Sequence, residues 1–287
     1  MRPTTKKLLA LSAAVSLGLA ACGTDEVGTP AVSGEARPVA EETTTTTEAP
    51  EATPVSASAD DPASALRSTL TSLLQEHVYL AGGALETALD AGADDPATQA
   101  ALAALDENTT ALGDVIASVP GVDDPAAFVQ LWRDHIGYFV DYAVGRTEGD
   151  DQAVDAALAE LEAYQEEAAE LLDSLTDGEL LADEVFGELE THVTMITDTV
   201  DALVEEDVEA LTLLRDAADH MDGVAAAIAA GVTSAHSEEI PGEVASVPAE
   251  TRADLTSGLQ EQAYLLVVAA EQLVEAGSGD DPAVRRP

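Results

Sequence analysis

Beyond residue 7 this chain has no lysine, and in all 287 residues it has one cysteine, Cys22. A single cysteine excludes an intramolecular disulfide framework, a thiolate metal cluster and a spare catalytic thiol. The missing lysines exclude Schiff-base chemistry and the lysine of a phosphate-binding loop. Aromatic residues are scarce, and no segment keeps the alternation of a half-buried strand. Positive charge is scarce as well: 11 basic residues stand against 56 acidic ones, and beyond residue 21 the balance is 8 against 56, or −48. Such a surface repels nucleic acid and anionic headgroups and keeps a protein soluble. Several chemical motifs are also missing: the Gly-x-Ser-x-Gly elbow, the Gly-rich phosphate loop, the His-Glu-x-x-His zinc motif and the Glu-x-x-His of di-iron bundles.

The N-terminus reads as a targeting segment. Arg2, Lys6 and Lys7 precede the short apolar run LLALSAAVSLGLA, too short to span a membrane as a mature helix. It ends in LAAC, Leu19 to Cys22, which resembles the lipobox of bacterial lipoproteins. The resemblance implies that residues 1–21 are a lipoprotein signal peptide. It makes Cys22 the lipidated first residue of a protein held on the extracytoplasmic face of the cell membrane. Residues 22–59 include EETTTTTEAPEATPVSASA, which lacks the apolar bulk to bury a core and reads as a disordered tether. Residues 278–287 read as a disordered tail.

Residues 60–277 read as one all-α domain. DDPA occurs at Asp60, Asp94, Asp123 and Asp280. The first three copies precede apolar-periodic runs, where Asp61, Asp95 and Asp124 are placed to cap helices and the prolines to start them. A calcium loop would need alternating oxygen ligands and a central glycine, which DDP lacks. The pattern predicts helices over 62–90, 96–118, 125–146, 151–174, 181–204, 207–231 and 249–276, with a mobile loop after the sixth. YLAGGAL, from Tyr79, reads as a close helix contact.

A repeat runs through these helices. LTSLLQEHVYL, FVQLWRDHIGYF and VFGELETHVTMI open successive hairpins, and LTSGLQEQAYLL opens a fourth. His77, His135 and His192 are 58 and 57 residues apart, and Gln262 takes the fourth place. The domain is therefore an antiparallel helical bundle or array of about three and a half tandem hairpins. Each histidine shares a face with leucine, aromatic or methionine neighbours three or four residues away. In the third hairpin His192 and His220 each lie 14 residues from Glu206, so the two should be level. The same folding-back places Asn108 opposite His77 and Tyr164 opposite His135. These residues and Gln262 are expected to form one buried polar layer, while His236 falls in the loop and is expected to be exposed.

Two readings of the layer stay open. Duplicated core histidines that hydrogen-bond across helices would account for it. So would a metal site, copper or iron, made from His77, His135, His192 and His220 with Met195 and Met221, the only methionines after the first residue. EHVYL, LWRDHIGYFVDY, THVTMI and DHM resemble a family of actinobacterial lipoproteins with histidine-bearing helical repeats and no established activity. Some relatives are labelled copper amine oxidase. The chain lacks the Asn-Tyr-Asp/Glu-Tyr cofactor motif of those enzymes, so the resemblance does not extend to that enzyme and leaves copper binding without the oxidation open. The leading expectation is a non-enzymatic interaction or structural module, tethered through Cys22 and meeting a cell-wall or protein partner. A metal-binding surface protein comes second and an oxidase third.

Overall fold

The computed structural model describes residues 58–276; the expected signal peptide, Cys22 as the expected lipidation site, nearly all of the expected tether and the expected tail lie outside the described residues. The described residues form helices and no strands: α1 (Pro62–Ala91), α2 (Pro96–Ala117), α3 (Pro125–Glu148), α4 (Asp151–Leu175), α5 (Ala182–Val204), α6 (Ala210–Ala235) and α7 (Val247–Ala276). None of these helices is long and apolar enough to cross a membrane.

The DDP signal works as capping chemistry requires. The carboxylates of Asp61, Asp95 and Asp124 accept from the backbone N–H groups of Ser64, Ala97 and Ala126 at 2.7, 2.8 and 3.2 Å. Each satisfies an N–H that the first turn leaves free, and each helix starts on the following proline. Gly149 closes α3 in the left-handed conformation, φ 68°. Glu206 takes φ 55° in the α5–α6 turn. The chain thus leaves helical geometry there, and α6 begins at Ala210 rather than at residue 207.

Consecutive helices pack side by side from α1 to α6, and α6 returns to make the most extensive helix pair of the fold, with α1. The ring is therefore closed. Within it α1, α3 and α5 touch one another pairwise. These are the first helices of the three hairpins, so they form an inner triangle with an approximate threefold relation, and α2, α4 and α6 fill the clefts between them. Leu70, Leu74, Phe139, Leu161, Leu189, Val200 and Leu214 belong to the core. The α1–α6 contact depends on Gly82, where a Cβ would sit 2.4 Å from a methyl of Leu214. YLAGGAL is a close helix contact, made by the first of its two glycines; a Cβ at Gly83 would meet nothing within 4 Å.

The fourth repeat does not join the ring. Helix α7 lies along the outside of α1 and runs parallel to it, and equivalent residues of the two helices pair reciprocally. Gln75 donates to Ser257 Oγ at 2.8 Å, Gln260 donates to Ser72 Oγ at 2.8 Å, and Tyr79 stacks on Tyr264 at 4.3 Å. Arg215 of α6 pairs with Glu261. Gln262 is exposed, which corrects its expected place in the buried layer: a ring of three is full before the fourth copy arrives.

The α6–α7 connection, expected to be a mobile loop, is pinned to the start of α1. Ala63 N–H donates to Pro241 O at 3.3 Å, Arg67 to Val244 O at 2.8 Å, and Arg252 to Ala59 O at 2.6 Å. His236 is half-buried rather than exposed, with Nε2 3.4 Å from Leu175 O. Gly242 has φ 135°, and a Cβ there would lie 2.3 Å from the Asp61 carboxylate. Gly242→Ala should strain the backbone and disturb the α1 cap together, lowering stability by about 1–3 kcal/mol, which urea unfolding would measure.

Candidate functional site

The three repeat histidines meet at the middle of the inner triangle. His77, His135 and His192 are all buried. His77 and His135 face each other with Nε2 atoms 3.3 Å apart. The indole N–H of Trp132 donates to His77 Nδ1 at 3.3 Å. An indole nitrogen can only donate, so His77 Nδ1 must be the acceptor. A neutral His77 then carries its proton on Nε2 and gives it to His135 Nε2, which leaves the proton of a neutral His135 on Nδ1. That Nδ1 is buried without a well-formed hydrogen bond. The indole of Trp132 packs edge-on to both imidazoles, at 5.0 and 4.9 Å between centroids. Tyr164 of α4 stacks on His135 at 4.5 Å, 14° from parallel. Asn108 of α2 is buried and donates to Leu73 O at 3.0 Å and Glu76 Oε2 at 2.9 Å.

His192 completes the triangle differently. It lines, with His77, a cavity of about 20 Å³ bounded by Phe139, Leu105 and Ile196, room for about one water molecule. Its Nδ1 is buried without a partner. Its ring lies nearly parallel to that of His220, 6.5 Å away, so the hairpin does bring the two to one height. His220 Nε2 lies 3.2 Å from the backbone carbonyl of Glu188 and 3.7 Å from its carboxylate.

The side chains of the expected metal set are thus spread over two surroundings. His192 and His220 stack ring on ring, and His220 Nε2 is held at the Glu188 carbonyl. Met221 is buried in the core, while Met195 packs half-buried at its edge. The His77–His135 spacing would suit two ligands of one tetrahedral ion, but the bond from Trp132 leaves a proton on His77 Nε2, where a metal needs a lone pair. Among the described residues no three His, Cys, Asp or Glu side chains gather in an arrangement that could hold a metal ion.

Burial sets the charge of the centre. Desolvation, with a smaller contribution from His192, pushes His77 down to about 3. Desolvation, and then His220, takes His192 to about 4. His135 is lowered well below the ordinary histidine value, chiefly by burial and then by His77 and His192. All three are neutral at pH 7.

A second feature lies beside this centre. Helices α3 to α6, with Leu74 of α1, enclose a cavity of about 320 Å³. Leu131, Trp132, Tyr164, Leu189 and Met221 line it, as do two exposed residues of α5, Glu184 and Glu188. Trp132 and Tyr164 therefore have one side on the histidines and the other on the cavity. Sequence reasoning missed this space. It opens where hairpins two and three meet, and Ala168 and Ala227 border it where longer side chains would fill it. Alanine on an inner helix face is too common to signal a void.

Compared with protein-family models, with curated proteins and with solved structures, the chain matches none of them.

The neutral centre makes stability depend on pH. A histidine whose folded pKa is depressed takes up its proton first in the unfolded chain, near pH 6.5. Its contribution is complete above that pH and falls as pH drops toward the folded value. Three such groups give a slope of up to about 4 kcal/mol per pH unit between about pH 6 and pH 4. Asp219 and Asp222, raised by burial, act in the opposite sense at the acid end. Urea unfolding at pH 7.5, 6 and 5 should show the fall, and His192→Leu should remove about a third of the slope.

Proposed function

We propose that this protein is a lipid-anchored, non-enzymatic binding module whose helical domain takes up a small apolar molecule, one end of which is an amine. The observation that carries the reading is the 320 Å³ cavity, whose lining is apolar apart from two exposed glutamates, Glu184 and Glu188. Ligand sites have this size and this division of labour, with apolar walls supplying affinity and a few polar groups setting orientation. An anionic ligand would meet Glu184, Glu188 and the acidic surface at once. An amine would find the two carboxylates within the lining. The buried histidines lie behind Trp132 and Tyr164, where the bond from Trp132 to His77 and the stacking of Tyr164 on His135 fix those two rings in the wall and so reduce what binding must spend on ordering the site.

Trp132 is the only tryptophan and lies in the cavity wall, so its fluorescence reports binding directly. Naphthylmethylamine should change it saturably with one-to-one stoichiometry. The neutral alcohol of the same ring should bind about 3- to 5-fold more weakly, as expected for a partly exposed ion pair. Ala168→Phe, which fills the space, should abolish the signal for both. A linear, unsaturable response, or binding unchanged in Ala168→Phe, would refute the cavity as the site.

The anchor is tested separately. LAAC at residues 19–22 supports lipidation of Cys22. Cys22→Ser should move the protein from the detergent phase to the aqueous phase on Triton X-114 partition, while an unchanged partition would exclude a lipid at that residue.

A further inference from the structure

The most exposed apolar surface of the domain runs along α7. Leu255, Leu259, Leu266 and Leu273 are 62, 60, 64 and 42 % exposed. They lie on the side of α7 opposite to Ala253, Ser257 and Tyr264, which face the rest of the domain. Their spacing is a heptad seam: Leu259, Leu266 and Leu273 recur every seven residues, with Leu255, Gln262 and Ala269 at the interleaved positions. The seam runs about 27 Å along the helix. None of the twelve residues at or beside it, between 255 and 273, is charged, in a chain where 23 % of residues are. A solvated face of this acidic protein would carry carboxylates there. Single exposed leucines need no explanation, but a continuous uncharged stripe of this length marks an interaction surface.

The repeat indicates what the stripe fits. LTSGLQEQAY aligns with LTSLLQEHVY, so Leu255, Leu259 and Gln262 of α7 correspond to Leu70, Leu74 and His77 of α1. In α1 these three are buried and face the inner triangle. There they meet the equivalent faces of α3 and α5, other copies of the same motif. Helix α7 already uses its opposite side on α1, and the ring has no vacant place for its inner face. That face is therefore a core surface whose proper partner is another copy of itself. Residues 22–57 contain no leucine, isoleucine, phenylalanine or methionine and cannot supply a matching stripe.

We infer that the outer face of α7 pairs with the same face of a second copy of this chain, making a two-fold dimer through the leucine seam. The seam is self-complementary, as a two-fold interface requires. Its lack of charge lets two strongly acidic proteins approach along this line alone. Gln262 lies within the seam, where a partner amide can answer it, and a polar residue at such a position fixes the register of paired helices. The inference is independent of what the cavity binds.

The test is the mass in solution of the full chain carrying Cys22→Ser, so that no lipid drives association. Sedimentation and light scattering should show a dimer. Leu259→Glu with Leu266→Glu should raise its dissociation constant by about 100-fold or more, the worth of two buried leucines. Helical circular dichroism should stay unchanged, because both side chains are exposed in the single chain. Val208→Glu, at an exposed apolar residue outside α7, should leave the dimer intact. A monomer at the highest concentration reached would overturn the inference, and so would a dimer that survives the double substitution. A monomer that binds phosphatidylcholine vesicles, and loses that binding in the double variant, would assign the seam to a lipid surface instead.

Discussion

The architecture depends on a polar constraint at its driest point. Three imidazoles, one from each hairpin, are buried where α1, α3 and α5 converge, and burial forbids them charge. Each must then meet its hydrogen-bonding needs from what the other helices offer. The indole of Trp132 begins a short donor series that passes through His77 to His135, and Tyr164 covers the far face of His135. This arrangement ties α1 to α3 with a direction. A leucine in place of any member would fill space without choosing a partner. His192 stands apart, with Nδ1 unpaired and its ring laid against His220, and so marks the least satisfied corner of the triangle. An unpaired buried polar atom costs about 1–3 kcal/mol. The packing of Ile196, Val193 and Leu189 around it must offset that cost.

Two surfaces follow from this centre. The three hairpins cannot fill the space between them evenly with so many alanines, and the gap left at the junction of the second and third hairpins is the large cavity. Its wall is shared with the histidine centre through Trp132 and Tyr164. Anything that presses on those two rings will therefore also press on the donor series behind them. Outside the ring, the acidic surface repels anions in every direction, so the largely apolar cavity wall and the uncharged α7 seam stand out as the places where apolar contact is available.

Much of the fold was legible in the sequence, because its signals are local. Asp before Pro fixes a helix start through capping geometry that no distant residue can alter, and α1, α2 and α3 begin where DDP predicts. The level pairing of His192 with His220 and of His135 with Tyr164 follows from helix rise and turn position alone. The misses are all non-local. Nothing within LTSGLQEQAYLL reveals that a ring of three is already complete, so Gln262 was expected inside and lies outside. The loop after α6 has the glycine and prolines of a mobile segment, yet its carbonyls are taken by Arg67 and Ala63 from the other end of the domain. The proton arrangement at His77 is set by an indole 55 residues away, and a cavity is defined by what fails to reach it. The metal reading used residue types near one height, and the protonated nitrogen and ring direction that a metal also needs are set by distant residues in the same way.

The pairing of α1 with α6 has a consequence for how the chain comes to be folded. Each hairpin is built from contacts close in sequence and can form early as the chain emerges. The α1–α6 contact spans most of the domain, and its loop-closure entropy is met only when all three hairpins exist. An open solenoid can lose or gain a unit and remain itself. A closed ring cannot, because a chain cut short after the second hairpin would leave α1 without its largest partner and the centre one imidazole short. Copy number here is thus a geometric quantity, set by the angle through which each hairpin turns, and further duplication could lengthen the chain only on its outside.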